Sequence, residues 1–528
     1  MKLYNSVIPV IDLFAGPGGL AEGFSSYCSN EKKVFNVCLS IEKDPYAHRT
    51  LELRSFFRQF PSNDVPDAYY EYLRKEISRD QLFNKFIKEA SAAKNEALHA
   101  ELGSDNFPSE KIDEKIFKAL GNTKRWILIG GPPCQAYSTV GRSRNKGIEG
   151  YVPEKDNRHF LYQEYLRIIS KHWPSLFVME NVKGLLSAKV NGGKIFDHIL
   201  QDLHNPLSAL ENINSYENNE KRYKYKIYSL VNQTSFPFDN SQSTFSPSDF
   251  LIQSENFGIP QTRHRLILLG IREDLWGLLP KNLTPHKQIS ANQVLEGLPK
   301  IRSGLSRESD TRETWDKRLS EIIEGHLFNE INDQVDQEVW DCICVALGGL
   351  DVSKKYERGG EFVRYNATCK YRREWFLDSK LKGVCNHISK AHMPSDLHRY
   401  MYASCFAEVY ERSPTLPEFP RKLWPAHKNV HKAKRSGNFS DRFRVQLESK
   451  PATTIMSHIS KDGHYYIHYD PAQCRSLTVR EAARLQTFPD NYFFEGPRTE
   501  QYSQVGNAVP PLLAAQIAEV VYDIAKRA

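Results

Sequence analysis

Five short apolar runs limit how this chain can fold, because four of them stop at a residue suited to a ligand rather than to a core. Residues 7–14 (VIPVIDLF) run into the glycines of AGPGG and then into a helix-forming AEGF. Residues 37–41 end at Glu42, 126–129 (WILI) end in GGPPC, and 176–179 (LFVM) end in Glu180-Asn181; residues 266–271 (LILLGI) form the fifth run. Helical patterns such as 162–169 lie between them. Short apolar strands alternating with helices are the signature of a doubly wound parallel sheet. Ligands of such sheets bind outside the carboxyl ends of the strands. The glycines, Glu42, Cys134 and Glu180 all fall at those ends.

Two stretches interrupt the rhythm. Residues 54–122 are charged and helix-prone and far exceed a loop, so they read as a helical insertion. Residues 207–249 are rich in Asn and Ser; their alternating KRYKYKIY reads as a strand with one basic face, and the rest as surface loop. From about 273 to 442 the alternation disappears. Near the end, 476–486 (SLTVREAARLQ) reads as a strong amphipathic helix, capped by Ser/Thr and stopped before Pro489. Residues 506–511 (GNAVPP) read as a turn before a last helix.

Composition excludes several classes. Of 528 residues 40% are hydrophobic and 26% charged, which is globular rather than disordered. No run approaches the ~20 apolar residues that span a bilayer. Residues 1–10 hold one lysine and no long apolar core, so no signal peptide is read and the expected address is the cytoplasm. Nine irregularly spaced cysteines do not make a disulfide scaffold. The formal charge is +7, and residues 353–445 alone carry 20 Lys plus Arg against 9 Asp plus Glu. Aromatics are interleaved there: Tyr365, Tyr371, Trp375, Phe376, Tyr400, Trp424 and Phe439. Such a module fits nucleic-acid contact; on charge alone, a solvated basic face fits as well.

The glycine loop lacks the dinucleotide fingerprint, its spacing being G-x-G-G. A glycine loop at a strand end still lets backbone approach a ligand, and Glu42 suits ribose hydroxyls, so the pair points to a nucleoside-containing cofactor. Cys134 follows two prolines that fix its backbone. Most cysteines are small buried hydrophobes, but one held on a polar loop reads as a nucleophile, and Gly141, Gly147 and Gly150 suit a loop that closes over substrate. Glu180 supplies a carboxylate. In QTRHR, Arg263 and Arg265 alternate toward one side, as for an anionic or carbonyl-bearing ligand. Cys369, Cys385, His387 and His392 match no zinc spacing well, so no metal is expected.

One reaction uses all of these groups. Cytosine C5 is too electron-poor to take a methyl group directly. Addition of a thiolate to C6, with a donor at N3, makes C5 nucleophilic. Within a duplex, the base must first be flipped out. The ordered segments DLFAGPGG, GGPPCQAYS, MENV, QTRHR, SLTVREAARLQTFPD and QVGNAVPP resemble the bacterial cytosine-C5 DNA methyltransferase family, and residues 157–162 (NRHFLY) resemble its segment between the cysteine and glutamate motifs. The resemblance covers about half the chain.

That resemblance implies a Rossmann-like, doubly wound mixed α/β sheet over 1–272, carrying the 54–122 insertion. A smaller, mostly irregular or β target-recognition region over 273–478 and a returning segment, 479–528, complete the chain. It implies Cys134 as nucleophile, Glu180 as the N3 partner, and Arg263 and Arg265 holding the cytosine carbonyl and steadying Glu180. It implies S-adenosylmethionine lined by Phe14, Gly16, Gly18, Leu20, Glu42 and Asn507, with Phe14 on adenine and Glu42 on ribose. The acid facing the adenine amino group lies between Glu42 and Cys134, with Asp105 and Asp113 both open. Thr454 is a DNA contact, and the helix 479–486 is a scaffold. Duplex DNA is the expected partner, acted on by a monomer, with a cognate restriction endonuclease as functional counterpart. The alternative is a tRNA cytosine-C5 methyltransferase.

Overall fold

The computed structural model describes residues 7–133, 157–190, 193–210, 222–237, 246–324, 326–348, 357–426, 441–461 and 463–528. Cys134, Gly141, Gly147, Gly150 and Phe439 lie outside the described residues.

Nine strands form the central sheet: β1 (Ile8–Leu13), β2 (Phe35–Glu42), β3 (Ala97–His99), β4 (Ile127–Gly130), β5 (Leu176–Val182), β6 (Tyr225–Tyr228), β7 (Ser235–Phe236), β8 (Leu251–Gln253) and β9 (His264–Arg272). Their order is β7-β6-β9-β5-β4-β1-β2-β3, with β8 against β9. β3, β2, β1, β4 and β5 run parallel. β9 is antiparallel to β5, and β6 and β8 to β9, so the fifth apolar run belongs to an antiparallel half and the sheet is mixed. The chain lays down β1, β2 and β3 outward, then crosses to β4 and β5. The crevice between the ends of β1 and β4 is therefore the switch point where ligands bind.

The KRYKYKIY run contains β6, with Tyr225 and Ile227 buried and Lys226 half-buried. Helices cover both sheet faces: α1 (Gly19–Ser26), α2 (Pro45–Arg58), α3 (Asp67–Leu73), α4 (Arg79–Lys85), α5 (Ile87–Glu96), α6 (Ser109–Leu120), α7 (Asn157–His172) and α8 (Ile195–His204). The 54–122 stretch is helical, as expected, but also contributes the edge strand β3. Three residues are too few to show a period in the sequence.

Among the described residues, 273–478 are mostly irregular, in line with the expectation. They hold a β hairpin, β10 (Gly359–Arg364) with β11 (Gly383–Ile388), but their hydrophobic core is built around helices, chiefly α9 (Gln337–Gly348) and α10 (Pro394–Tyr410). Residues 396–407 of α10 are all buried. A helix enclosed on every side has no polar face, so the 3.6-residue period that reveals helices is missing.

The 476–486 segment forms α11 (Val479–Leu485), capped by Thr478 with Glu481 in a reciprocal capping box. It is not amphipathic: all seven residues are buried. Arg475 and Glu481 bond through both oxygens (2.6 and 2.7 Å), as do Arg484 and Asp490 (2.9 and 2.6 Å). Arg480 donates to the carbonyls of Cys385, Pro489 and Tyr492. After α11 come α12 (Arg498–Asn507) and α13 (Pro511–Ala525). Gly506 and Asn507 thus end a helix rather than start a turn. Among the described residues, 498–525 is the stretch long and apolar enough to cross a membrane; it breaks between α12 and α13, and its most apolar 18 residues are 67% buried.

Candidate active site at the sheet edge

The switch-point crevice opens where β1 ends. Gly18 caps α1 in the left-handed region (φ 95°), and a Cβ there would lie 2.8 Å from Leu51 Cδ1 and 3.0 Å from Tyr492 Oη, so only glycine fits. Phe14 and Gly16 also have positive φ (both 57°). The Gly16 amide donates to Glu42 Oε2 (2.7 Å) and the Asp44 amide to Glu42 Oε1 (2.7 Å). Burial raises the Glu42 pKa while these two amides oppose the rise. Asp44 goes on to cap α2 through the amides of Tyr46 and Ala47. Phe14, Gly16, Gly18 and Glu42 therefore line one crevice. Leu20 does not: it is buried in the apolar cluster with Val10, Phe24 and Leu513. Its backbone sits in the first turn of α1, and its side chain is core.

Asp12 drew no functional reading from the sequence. Its carboxyl group is wholly buried at the end of β1 with no side-chain hydrogen-bond partner for either oxygen, only the Ala21 backbone lying close. Burial, opposed in part by Arg58, pushes its pKa well above the usual carboxylate range. An orphaned buried acid beside a glycine loop fits a pocket whose ligand supplies the missing donors. The crevice thus suits a nucleoside-containing ligand: bare backbone, a held acid for hydroxyls and a second, buried acid beneath the loop.

Of the two acids left open, Asp113 is occupied. It bonds Arg167 (2.9 Å) and His172 (2.8 Å), and although burial opposes them these contacts lower its pKa. Asp105 is exposed on the loop before α6. Glu101, which the sequence reading passed over, stands two residues past the end of β3, beside Glu42, and pairs with Lys43 at 3.0 Å. Only the recognition of β3 as a strand would have drawn attention to it.

Across the crevice, β4 delivers Gly131 next to Glu180: a Cβ on Gly131 would meet Glu180 Oε2 at 3.0 Å. Asn181 Nδ2 donates to the Pro132 carbonyl (3.2 Å). The chain therefore leaves for Cys134 from a point fixed against Glu180. Arg265 Nε lies 2.9 Å from Glu180 Oε1, placed there by the antiparallel register that sets Ile267 opposite Glu180. Burial lowers the Arg265 pKa, and Glu180 opposes the drop.

Arg263 behaves differently from its neighbour. It is 2% exposed, and its guanidinium donates to the carbonyls of Ile455 (2.7 Å) and Gly506 (3.2 Å) rather than joining Arg265 at Glu180. The pairing expected from alternation fails because Arg263 precedes β9 and points into the junction with α12. Asn507 is exposed at the end of α12, one residue past the carbonyl that Arg263 holds. Thr454 Oγ1 is used internally, on the Thr262 carbonyl (2.6 Å).

Among the described residues, the basic module is less open than its charge suggests. Phe376 and Tyr400 are core, Tyr371 and Trp375 bond the carbonyls of Gly258 and Thr487, and Tyr365 is the exposed member, at 43%. Arg358, Lys380, Arg399 and Arg412 bond protein groups. Among the described residues, no group of His, Cys, Asp or Glu could hold a metal; His387 bonds Thr478 and Pro299, while Cys369 bonds the carbonyl of Tyr371.

Comparison with known proteins places this arrangement. The family model for C-5 cytosine-specific DNA methylases matches residues 93–206 and 210–523. Type II methyltransferase M.Bpa9945I of Bacillus paralicheniformis is 34% identical, over 98% of each chain. DNA (cytosine-5-)-methyltransferase M.ApeKI of Aeropyrum pernix is 26% identical over 77% of this chain and 83% of its own. Type II methyltransferase M.DdeI of Desulfomicrobium norvegicum is 24% identical over 97% and 87%.

Proposed function

Because the chain belongs to the C-5 cytosine-specific DNA methylase family, we propose that the sheet-edge crevice is where it methylates cytosine in duplex DNA, with Cys134 as nucleophile and Glu180 as the group at N3. The protein is a DNA (cytosine-5-)-methyltransferase of the restriction-modification kind. The observation that carries the residue assignment is the Glu180–Arg265 pair lying against Gly131, three residues before the cysteine.

S-adenosylmethionine, when bound, supplies an electrophilic methyl group. Phe14, Gly16, Gly18, Glu42 and Asn507 would hold it, with Glu42 accepting from the ribose and Glu101 facing the adenine amino group. The Cys134 thiolate adds to C6 of the flipped cytosine, and Glu180 holds a proton at N3, which makes C5 an enamine carbon. Arg265 keeps Glu180 oriented and offers its remaining N–H groups to the pyrimidine carbonyl. After C5 is alkylated, loss of its proton expels the thiolate and restores the ring. The division at 272/273 and 478/479, action as a monomer in the cytoplasm, and protection of host DNA from a cognate endonuclease complete the proposal.

Labelled S-adenosylmethionine offered with duplex DNA or with tRNA tests it. Transfer to duplex DNA is expected, and transfer to tRNA alone would overturn it. Duplexes carrying 5-fluorocytosine should become covalently attached at Cys134. Cys134→Ser should abolish both transfer and attachment while leaving DNA binding in place. Bisulfite sequencing of DNA from expressing cells would read out the recognised site.

A further inference from the structure

The glycine loop is gripped from behind by a side chain 475 positions further along the chain. Tyr492 is wholly buried, and its Oη donates to the carbonyl of Pro17, between Gly16 and Gly18. A Cβ on Gly18 would lie 3.0 Å from that same oxygen, so the hydroxyl rests directly against the loop backbone. The ring is fixed in turn. It packs against Phe488 (4.7 Å between centroids) and Phe494 (5.5 Å), with the Arg54 guanidinium over it at 4.8 Å. Arg480 of α11 donates to the Tyr492 carbonyl (2.6 Å), and Tyr69 to that of Asn491 (3.1 Å). Arg54 also donates to Glu22 of α1 (2.9 Å) and to Asn491 (3.0 Å), so the tyrosine and the helix that the loop leads into share one anchor. On the loop's other side, a Cβ on Gly19 would lie 2.2 Å from the Val509 carbonyl oxygen. A segment containing Gly16, Gly18 and Gly19 has many backbone conformations open to it; a hydroxyl held on a fixed ring selects one.

We propose that Tyr492 is a positioning residue for S-adenosylmethionine, its hydroxyl holding the Pro17 carbonyl so that the loop has its binding geometry before the cofactor arrives. Buried behind the loop, it acts through the backbone rather than by contact. Such pre-organisation raises affinity because the ligand no longer has to order the loop. This rests on the reading of the crevice as the cofactor site. Tyr492→Phe removes one oxygen and keeps the ring with its packing. Isothermal titration should show S-adenosylhomocysteine binding weakened about tenfold. The KM for S-adenosylmethionine should rise in step, while kcat and the KM for duplex DNA stay within about twofold of wild type. Hydrogen exchange over residues 15–20 should be faster in the free variant and return to the wild-type rate at saturating S-adenosylhomocysteine. Tyr225→Phe separates this from a merely structural role, since Tyr225 is equally buried and donates to the Pro174 carbonyl (2.8 Å). It should lower the melting temperature comparably and leave S-adenosylhomocysteine binding unchanged. If Tyr492→Phe fails to fold by circular dichroism, Pro17→Gly decides, because it frees the same backbone with Tyr492 in place and should weaken binding likewise. A folded Tyr492→Phe or Pro17→Gly with wild-type affinity would overturn the proposal, as would equal weakening by Tyr225→Phe. A wild type that binds no S-adenosylhomocysteine would instead sink the reading on which it rests.

Discussion

Charge is buried in two regions of this molecule, and the two treat it in opposite ways. Beneath α11 every guanidinium has its acceptors: Arg475 takes Glu481, Arg484 takes Asp490, and Arg480 takes three carbonyls. A neighbouring set joins Arg54 to Glu22 (2.9 Å) and Arg58 to Glu96. At the sheet edge the pairing is incomplete: Asp12 has no side-chain hydrogen-bond partner, Arg263 bonds two backbone carbonyls with its Nε left over, and Arg265 alone pairs with Glu180. Full pairing makes a rigid junction whose charges are spent. Incomplete pairing leaves a site with capacity for ligand charge and hydrogen bonds. Buried charge by itself is therefore no marker of chemistry here; its unmatched remainder is.

The sharpest way to break this contrast is Glu180→Gln. Loss of a positioned acid should cut single-turnover methyl transfer by about 10²–10⁴-fold with little change in melting temperature. A large drop in stability would place Glu180 with the structural pairs. Conversely, Arg484→Met leaves Asp490 buried without its bidentate partner, with only Arg480 Nη1 at 4.0 Å, and should destabilise the fold by about 3–5 kcal/mol. Its transfer rate per folded molecule should stay near wild type. Replacing both partners by apolar residues should recover much of that loss, measured by denaturant unfolding.

A pH-dependent effect comes from histidines packed among the matched charges. Burial holds His387 and His468 down to about 4 and His392 to about 3, so all three are neutral in the folded protein at neutral pH. An unfolded chain protonates them near 6.5 and so binds more protons. Stability should therefore fall as pH drops from about 6.5 toward 4, by up to about 1.4 kcal/mol per pH unit for each histidine. Melting curves that stay flat down to pH 5 would contradict this. Smallest of all, Glu101→Gln should raise the cofactor KM about tenfold, the worth of one hydrogen bond of about 1.4 kcal/mol. Asp113→Asn should leave KM alone and lower the melting temperature.

The sheet edge was the legible part. A buried strand that stops at a glycine loop or a carboxylate carries its location in its own few residues, and Glu42, Gly131 and Glu180 lie where the apolar runs end. What escaped was set by distant contacts. The direction of β9 is fixed by its pairing with β5, not by LILLGI itself. Helix α10 is enclosed on all sides, so its sequence shows no stripe, whereas α11 was legible as a capped helix but its complete burial was not. Arg263 and Arg265 look alike in QTRHR, yet one leads into the α12 junction while the other reaches the acid. Leu20 sits in a ligand-binding turn, but its side chain faces the core.

The returning end of the chain has a consequence for how the enzyme comes into being. Helix α13 lies along α1 and shares its apolar cluster, with Leu513, Ile517 and Val521 beside Phe24. The glycine loop and the surface that braces it come from widely separated parts of the sequence, so the pocket takes shape only when the two are brought together, and loosening α13 disarms a pocket whose own residues are all intact.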